Sequence, residues 1–201
     1  MNLTTPTNRR RGFTLVEMIG VLAVIAVLAG LLIPRVFSAI AQSRINSTAL
    51  GYNSLKSASL LYFGKYGKFA GVAGGTNSTA TALDWDSLVL LPEGFVEKPF
   101  ETQLATTTTV SLVPASASGA VVFSVAGTYD LGDTGLNSAI GTSVIEAVLT
   151  EVSADDAKEL NDRIDGAALG AALGVSDIKG RVKFDIATGA TGTVRLYIAH
   201  K

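Results

Sequence analysis

The chain has 201 residues, with 16 Lys+Arg against 17 Asp+Glu, one His and no Cys. That length suits one ordinary domain plus an appendage, the balanced charge supplies no concentrated basic face for nucleic-acid phosphates, and the lack of Cys excludes disulfides, thiolate metal sites and Cys nucleophiles. A mean hydropathy of +0.40 is high for a chain with 16 % charged residues, so the apolar excess must be concentrated, and it lies at the start.

Residues 1–12, MNLTTPTNRRRG, are polar and end in Arg9, Arg10, Arg11 and Gly12. Phe13 to Ile33 follows as FTLVEMIGVLAVIAVLAGLLI, closed by Pro34 and Arg35, without a charge between Met18 and Pro34. In helical form this run covers roughly 30 Å, the thickness of one bilayer core. Three Arg before it and one just after it predict a cytoplasmic N-terminus. A secretory signal has a shorter apolar region followed by a small-residue cleavage site, whereas here Leu32, Ile33, Pro34 and Arg35 follow. Glu17 is the anomaly, standing among Phe13, Leu15, Val16, Met18 and Ile19. An ionised carboxylate in such a setting costs several kcal/mol unless paired, and the helix macrodipole returns only about 0.3–1 kcal/mol. A cut between Gly12 and Phe13 would create an α-amine one helical turn from Glu17. In a stack of such helices that amine also reaches the carboxylate of a neighbouring copy.

Arg11-Gly12-Phe13-Thr14-Leu15-Val16-Glu17-Met18-Ile19 followed by an uninterrupted apolar run closely resembles the processing signature of type IV prepilins and type II secretion pseudopilins. The resemblance is strong over about residues 9–36, fair to about residue 66 and architectural beyond. It implies cleavage after Gly12 by a membrane prepilin peptidase, N-methylation of Phe13, pairing of Glu17 with a neighbour's methylated amine during assembly, and a helix bend at Pro34. It also implies an inner-membrane precursor, an inner-membrane assembly platform, and partners that are further copies of the chain or other pilins. The destination is then a periplasmic pseudopilus or an extracellular pilus. The absence of Cys departs from the many pilins that staple a C-terminal loop with a disulfide.

Beyond Pro34 the helical pattern turns amphipathic, with Phe37, Ile40, Ile45, Ala49, Tyr52, Leu55 and Tyr62 at mostly three-to-four spacing. The helix is expected to stop near Gly64 or Gly67. Gly71–Thr81 is rich in Gly, Ser and Thr and reads as a flexible connection. The expected organisation is a leader at 1–12, a long helix at 13–66 whose residues 13–33 span the membrane or form the filament core, a linker at 67–81 and a globular domain at 82–201.

In that domain Val110–Val113 and Ala120–Ala126 read as strands around a turn, and Ser143–Val152 as a buried helix. Ser153 reads as the N-cap of a second helix, DDAKELNDRI, ended by Gly166. Val182–Ile186 alternates Val182, Phe184 and Ile186 against Lys183 and Asp185, Val194–Ile198 alternates Val194, Leu196 and Ile198 against Arg195 and Tyr197, and the ATGATG between them predicts a hairpin. The fold class is α+β: a long helix packed on a small antiparallel sheet with inserted helices.

Chemistry is sparse. His200 has no apparent partner and reads as a solvated tail residue. Asp130, Asp133 and Asn137 sit in a Gly-rich loop that offers oxygen ligands for calcium, a property of some pseudopilins, but their spacing is not that of an EF-hand and a turn explains it. No cofactor is expected. Asp84/Asp86 and Asp155/Asp156 read as a turn beside Trp85 and as helix capping rather than as catalytic pairs. The aromatic trail Phe37, Tyr52, Tyr62, Phe63, Tyr66 and Phe69 reads as packing against a sheet. The sequence thus reads as a non-enzymatic, self-assembling subunit. The alternative is a membrane-tethered monomeric binding domain that uses the segment only as an anchor.

Overall fold

The computed structural model describes residues 12–71, 82–115, 121–130 and 143–200. The chain forms two compact units, residues 1–41 and 42–201. Helix α1, Leu15–Tyr66, runs through both. In the first unit its apolar stretch carries no buried residue. Pro34 lies inside the helix, and the Ser38 hydroxyl donates to the Pro34 carbonyl at 3.1 Å. The helix ends where sequence predicts: Gly67, at φ +68°, donates its N–H to the Phe63 carbonyl at 2.7 Å, a left-handed residue closing the last turn.

In the second unit a four-stranded antiparallel sheet is built from β1 (Thr107–Pro114), β2 (Ser143–Ser153), β3 (Val182–Phe184) and β4 (Thr191–His200), in the order β1-β2-β4-β3. Helix α2, Ala154–Ile164, is inserted directly after β2. The fold is α+β. Ile45, Tyr52, Leu55, Ala58 and Tyr62 of α1 share one core with Val110 and Leu112 of β1, Ile145, Ala147 and Leu149 of β2, Phe184 of β3, and Leu196 and Ile198 of β4. Leu160 of α2 joins it. Part of the aromatic trail belongs here: Tyr62 packs edge-on against Trp85 at 5.4 Å and Phe95 at 5.5 Å, and the Trp85 indole donates to the Ala70 carbonyl at 2.7 Å. Phe37 is exposed.

Three expectations need correction. Ser143–Val152 is not a helix but the central strand β2. Its period of two is hidden because both faces are covered, Ile145, Ala147 and Leu149 on one and Val144 and Glu146 on the other. Of the strand expected at 120–126, none of the described residues 121–126 is in a strand; the chain turns from Phe123 to Gly127. Thr128 donates its hydroxyl to the carbonyls of Val122 and Val125, and Gly127 at φ +76° reverses the chain. His200 is exposed as expected, but it has a partner: it ends β4, and its Nδ1 shares a hydrogen bond with the Tyr197 hydroxyl. A single π-helical turn, Asp86–Leu90, has no counterpart in the sequence reading.

The α2 boundaries follow the sequence. The Ser153 side chain accepts from the Asp156 N–H at 3.2 Å, Asp155 and Asp156 lie in the first turn, and Arg163 lies in the last. Ser153→Ala is expected to lower unfolding stability by about 1 kcal/mol, measured by urea denaturation.

Candidate functional site: the N-terminal segment

Phe13 and Thr14 lead into α1, and Phe13 is 82 % exposed. Thr14 and Glu17 bind each other at the helix start. The Thr14 N–H and hydroxyl each donate to Glu17 Oε2 at 2.8 Å, and the Glu17 N–H donates to Thr14 Oγ1 at 3.3 Å. This is a capping box, in which a Thr just before the helix and an acid three residues later satisfy each other's backbone donors. The signature Thr-x-x-Glu was legible in sequence, and Thr14 is the residue the sequence reading passed over. The structure therefore gives Glu17 a local partner that is neutral. A neutral partner shields the carboxylate without cancelling its charge, so the demand for a cation stands.

Every large apolar side chain from Phe13 to Phe37 is exposed, including Leu15, Val16, Leu22, Val27 and Leu31. Contiguous apolar surface of this extent must be covered by lipid or by other apolar helices. At 1.5 Å per residue the run is long enough to cross a bilayer. Gly12, Phe13 and Glu17 are thus brought together at one end of an uncovered apolar rod, with Pro34 inside the helix at its other end.

The remaining candidates fall elsewhere. Asp130 is 2 % exposed, and its carbonyl accepts the Gly180 N–H at 2.7 Å, so its backbone is tied to the Lys179–Gly180 segment. Asp133 and Asn137 lie outside the described residues. Among the described residues no cluster of three or more His, Cys, Asp or Glu is placed to hold a metal. Asp86 is buried and accepts the Phe100 N–H at 2.6 Å, with burial as the main cause raising its carboxyl's pKa. Asp155 and Asp156 serve α2.

One constellation has no sequence signal. Lys183 keeps to the face its alternation predicts, yet it is fully buried, because residues 121–130 cover that face. Its ammonium donates to the carbonyls of Val122 (2.9 Å), Val125 (3.1 Å) and Thr128 (2.6 Å) and to Thr128 Oγ1 (3.0 Å). Beside it Glu146, 1 % exposed, accepts from Arg195 (2.6 Å), from the Tyr129 hydroxyl (2.8 Å) and from the Gly127 N–H (3.3 Å). These contacts bind the covering segment to the sheet.

Comparison with curated proteins and with solved structures returned no match. Residues 7–33 match the family model described as the prokaryotic N-terminal methylation motif. The basic run Arg9–Arg11, the Gly12–Phe13 pair, Glu17 and the uncovered apolar stretch together identify the start of this chain as a type IV pilin- or pseudopilin-like prepilin segment.

Proposed function

We propose that the chain is a structural, non-enzymatic subunit of a type IV pilus or pseudopilus. It is inserted in the inner membrane with its N-terminus in the cytoplasm, cleaved between Gly12 and Phe13 by a prepilin peptidase, and methylated on Phe13. An assembly platform then draws it from the bilayer into a helical fibre. The observation that carries this reading is Glu17 in the first turn of a helix whose N-terminal apolar stretch, Leu15 to Phe37, is uncovered. Burial of that surface among neighbouring helices supplies cohesion. The α-amine of an adjacent copy neutralises Glu17 and so sets the axial register, while Pro34, lacking an N–H, lets the rod bend between its apolar and amphipathic halves. Contacts of this head-to-tail kind do not close, and an open fibre results.

The test is the mass and N-terminal sequence of the protein purified from membranes, together with electron microscopy of sheared surface material. The expected result is Phe13 as first residue, one methyl group heavier, and fibres that contain the chain. An intact Met1 would overturn the processing. A processed chain that never enters fibres would leave an anchored monomer instead.

A further inference from the structure

The second half of α1 presents to solvent the stripe Leu50, Ser54, Ser57 and Leu61, whose positions fall within about 60° of one another around the helix. Leu50 is 70 % and Leu61 64 % exposed. The two flanks of this stripe differ in charge. On one flank a cavity of about 360 Å³ is lined by Lys56, Leu60, Asp165, Arg181, Tyr197 and His200, among others. Asp165 Oδ2 accepts the backbone N–H groups of Arg181 and Val182 at 2.7 and 2.8 Å. The head groups of Lys56 and Arg181 form no ion pair among the described residues. They share the cavity closely enough that burial and then the Arg181 charge lower the Lys56 ammonium's pKa. Two cations against one backbone-bound acid leave this flank net positive.

On the opposite flank a cavity of about 600 Å³ lies between Ser47, Gly51 and Leu55 of α1 and residues 95–101. The segment hugs the helix at Gly51, where an added Cβ would stand 2.8 Å from the Phe100 ring. Its rim carries Glu97 and Glu101, both exposed and without an ion pair among the described residues, and Lys98, a net negative charge. Loss of Arg9, Arg10 and Arg11 on cleavage would take the chain's net charge from −1 to −4. Copies packed side by side would then repel unless surplus acid on one meets surplus base on the next.

We propose that the Lys56–Arg181 flank of one copy receives the Glu97–Glu101 segment of a second copy, beside the exposed stripe of α1. The occupant is the same chain, and the contact is heterologous: two different surfaces meet, so it repeats along a fibre without closing. Arg181 supplies a planar fork for a carboxylate and Lys56 a point charge. This inference rests on the filament reading.

The experiment uses the full chain, processed in cells, with sheared fibres quantified by immunoblot. Lys56→Glu/Arg181→Glu and Glu97→Lys/Glu101→Lys should each leave Phe13 exposed normally and reduce fibre yield about tenfold. The chain carrying all four changes should recover to within about threefold of wild type. Because a reversal near Asp165 could disturb folding, a second measurement uses wild-type fibres. Raising NaCl from about 0.05 to about 0.5 M should increase subunit release about tenfold, since exposed charge pairs are screened over that range. Undiminished yield in both reversals, failure of the four-change chain to recover while it unfolds at the wild-type temperature, or salt-insensitive fibres would each overturn the contact and leave the filament reading in place. Absence of wild-type fibres would overturn both.

Discussion

Glu17→Val is expected to leave membrane insertion and cleavage intact, with insertion improved by loss of a charge, while fibre assembly falls by more than about thirtyfold. The magnitude follows from leaving a neighbour's α-amine buried and unpaired, which costs about 2–5 kcal/mol per contact. Glu17 has two roles that this variant removes together: it caps the helix through Thr14, and it carries the charge. Glu17→Gln separates them. Gln completes a capping box as well as Glu does but cannot neutralise an amine. If register depends on the charge, Glu17→Gln fails to assemble just as Glu17→Val does, and Thr14→Ala, which loses about 1 kcal/mol of capping, still assembles. Fibres from Glu17→Gln at the wild-type level would reduce Glu17 to a helix cap. The readout is sheared-fibre yield against total processed protein.

Glu146→Ala is expected to lower stability by about 3–5 kcal/mol, a large share of the 5–15 kcal/mol typical of a folded domain. The change strands the Arg195 guanidinium, the Tyr129 hydroxyl and the Gly127 N–H around a site that is 1 % exposed. Glu146→Gln keeps an acceptor for Tyr129 and Gly127 and loses the charge, so it should fall between. Urea denaturation checks the series, and a loss below about 1 kcal/mol for the Ala variant would show that the network does not hold residues 121–130 in place.

The same site gives stability a pH dependence. Burial pushes the Lys183 ammonium down to about 8 from an ordinary 10.5, with Glu146 opposing the shift and Arg195 adding to it. Between about pH 8 and 10.5 the unfolded chain therefore holds the Lys183 proton that the folded chain has released. Stability rises with pH wherever the unfolded state binds more protons. Tyr129 acts in the opposite sense from about pH 10, since burial raises its hydroxyl's pKa above that ordinary value. Wild type should thus unfold at a higher temperature at pH 9.5 than at pH 7.5, and Lys183→Met should lose this rise.

The candidate site was legible because it is local. A basic run, Gly12, Phe13, Glu17 and an apolar stretch stand within thirty-odd consecutive residues, and a helix preserves the spacing of those that lie in it. Thr14 belongs to the same short-range chemistry and was readable from Thr-x-x-Glu. Helix α2, its Ser153 cap and the β3–β4 hairpin were legible for the same reason, each being specified by neighbours in sequence.

The sequence by itself determined the uncovered apolar helix, the position of its lone acid and the α+β class. Tertiary structure alone decided that Ser143–Ser153 is a strand, because a run apolar on both faces carries no period until the sheet and its covering segment are known. It alone decided that Lys183 and Glu146 meet in one buried network, because residues 121–130, distant in sequence, fold over that face of the sheet. It also placed Lys56 beside Arg181, 125 positions apart in the chain. Local spacing encodes helices and caps, whereas the pairing of distant charges is written only in the packing that brings their elements together.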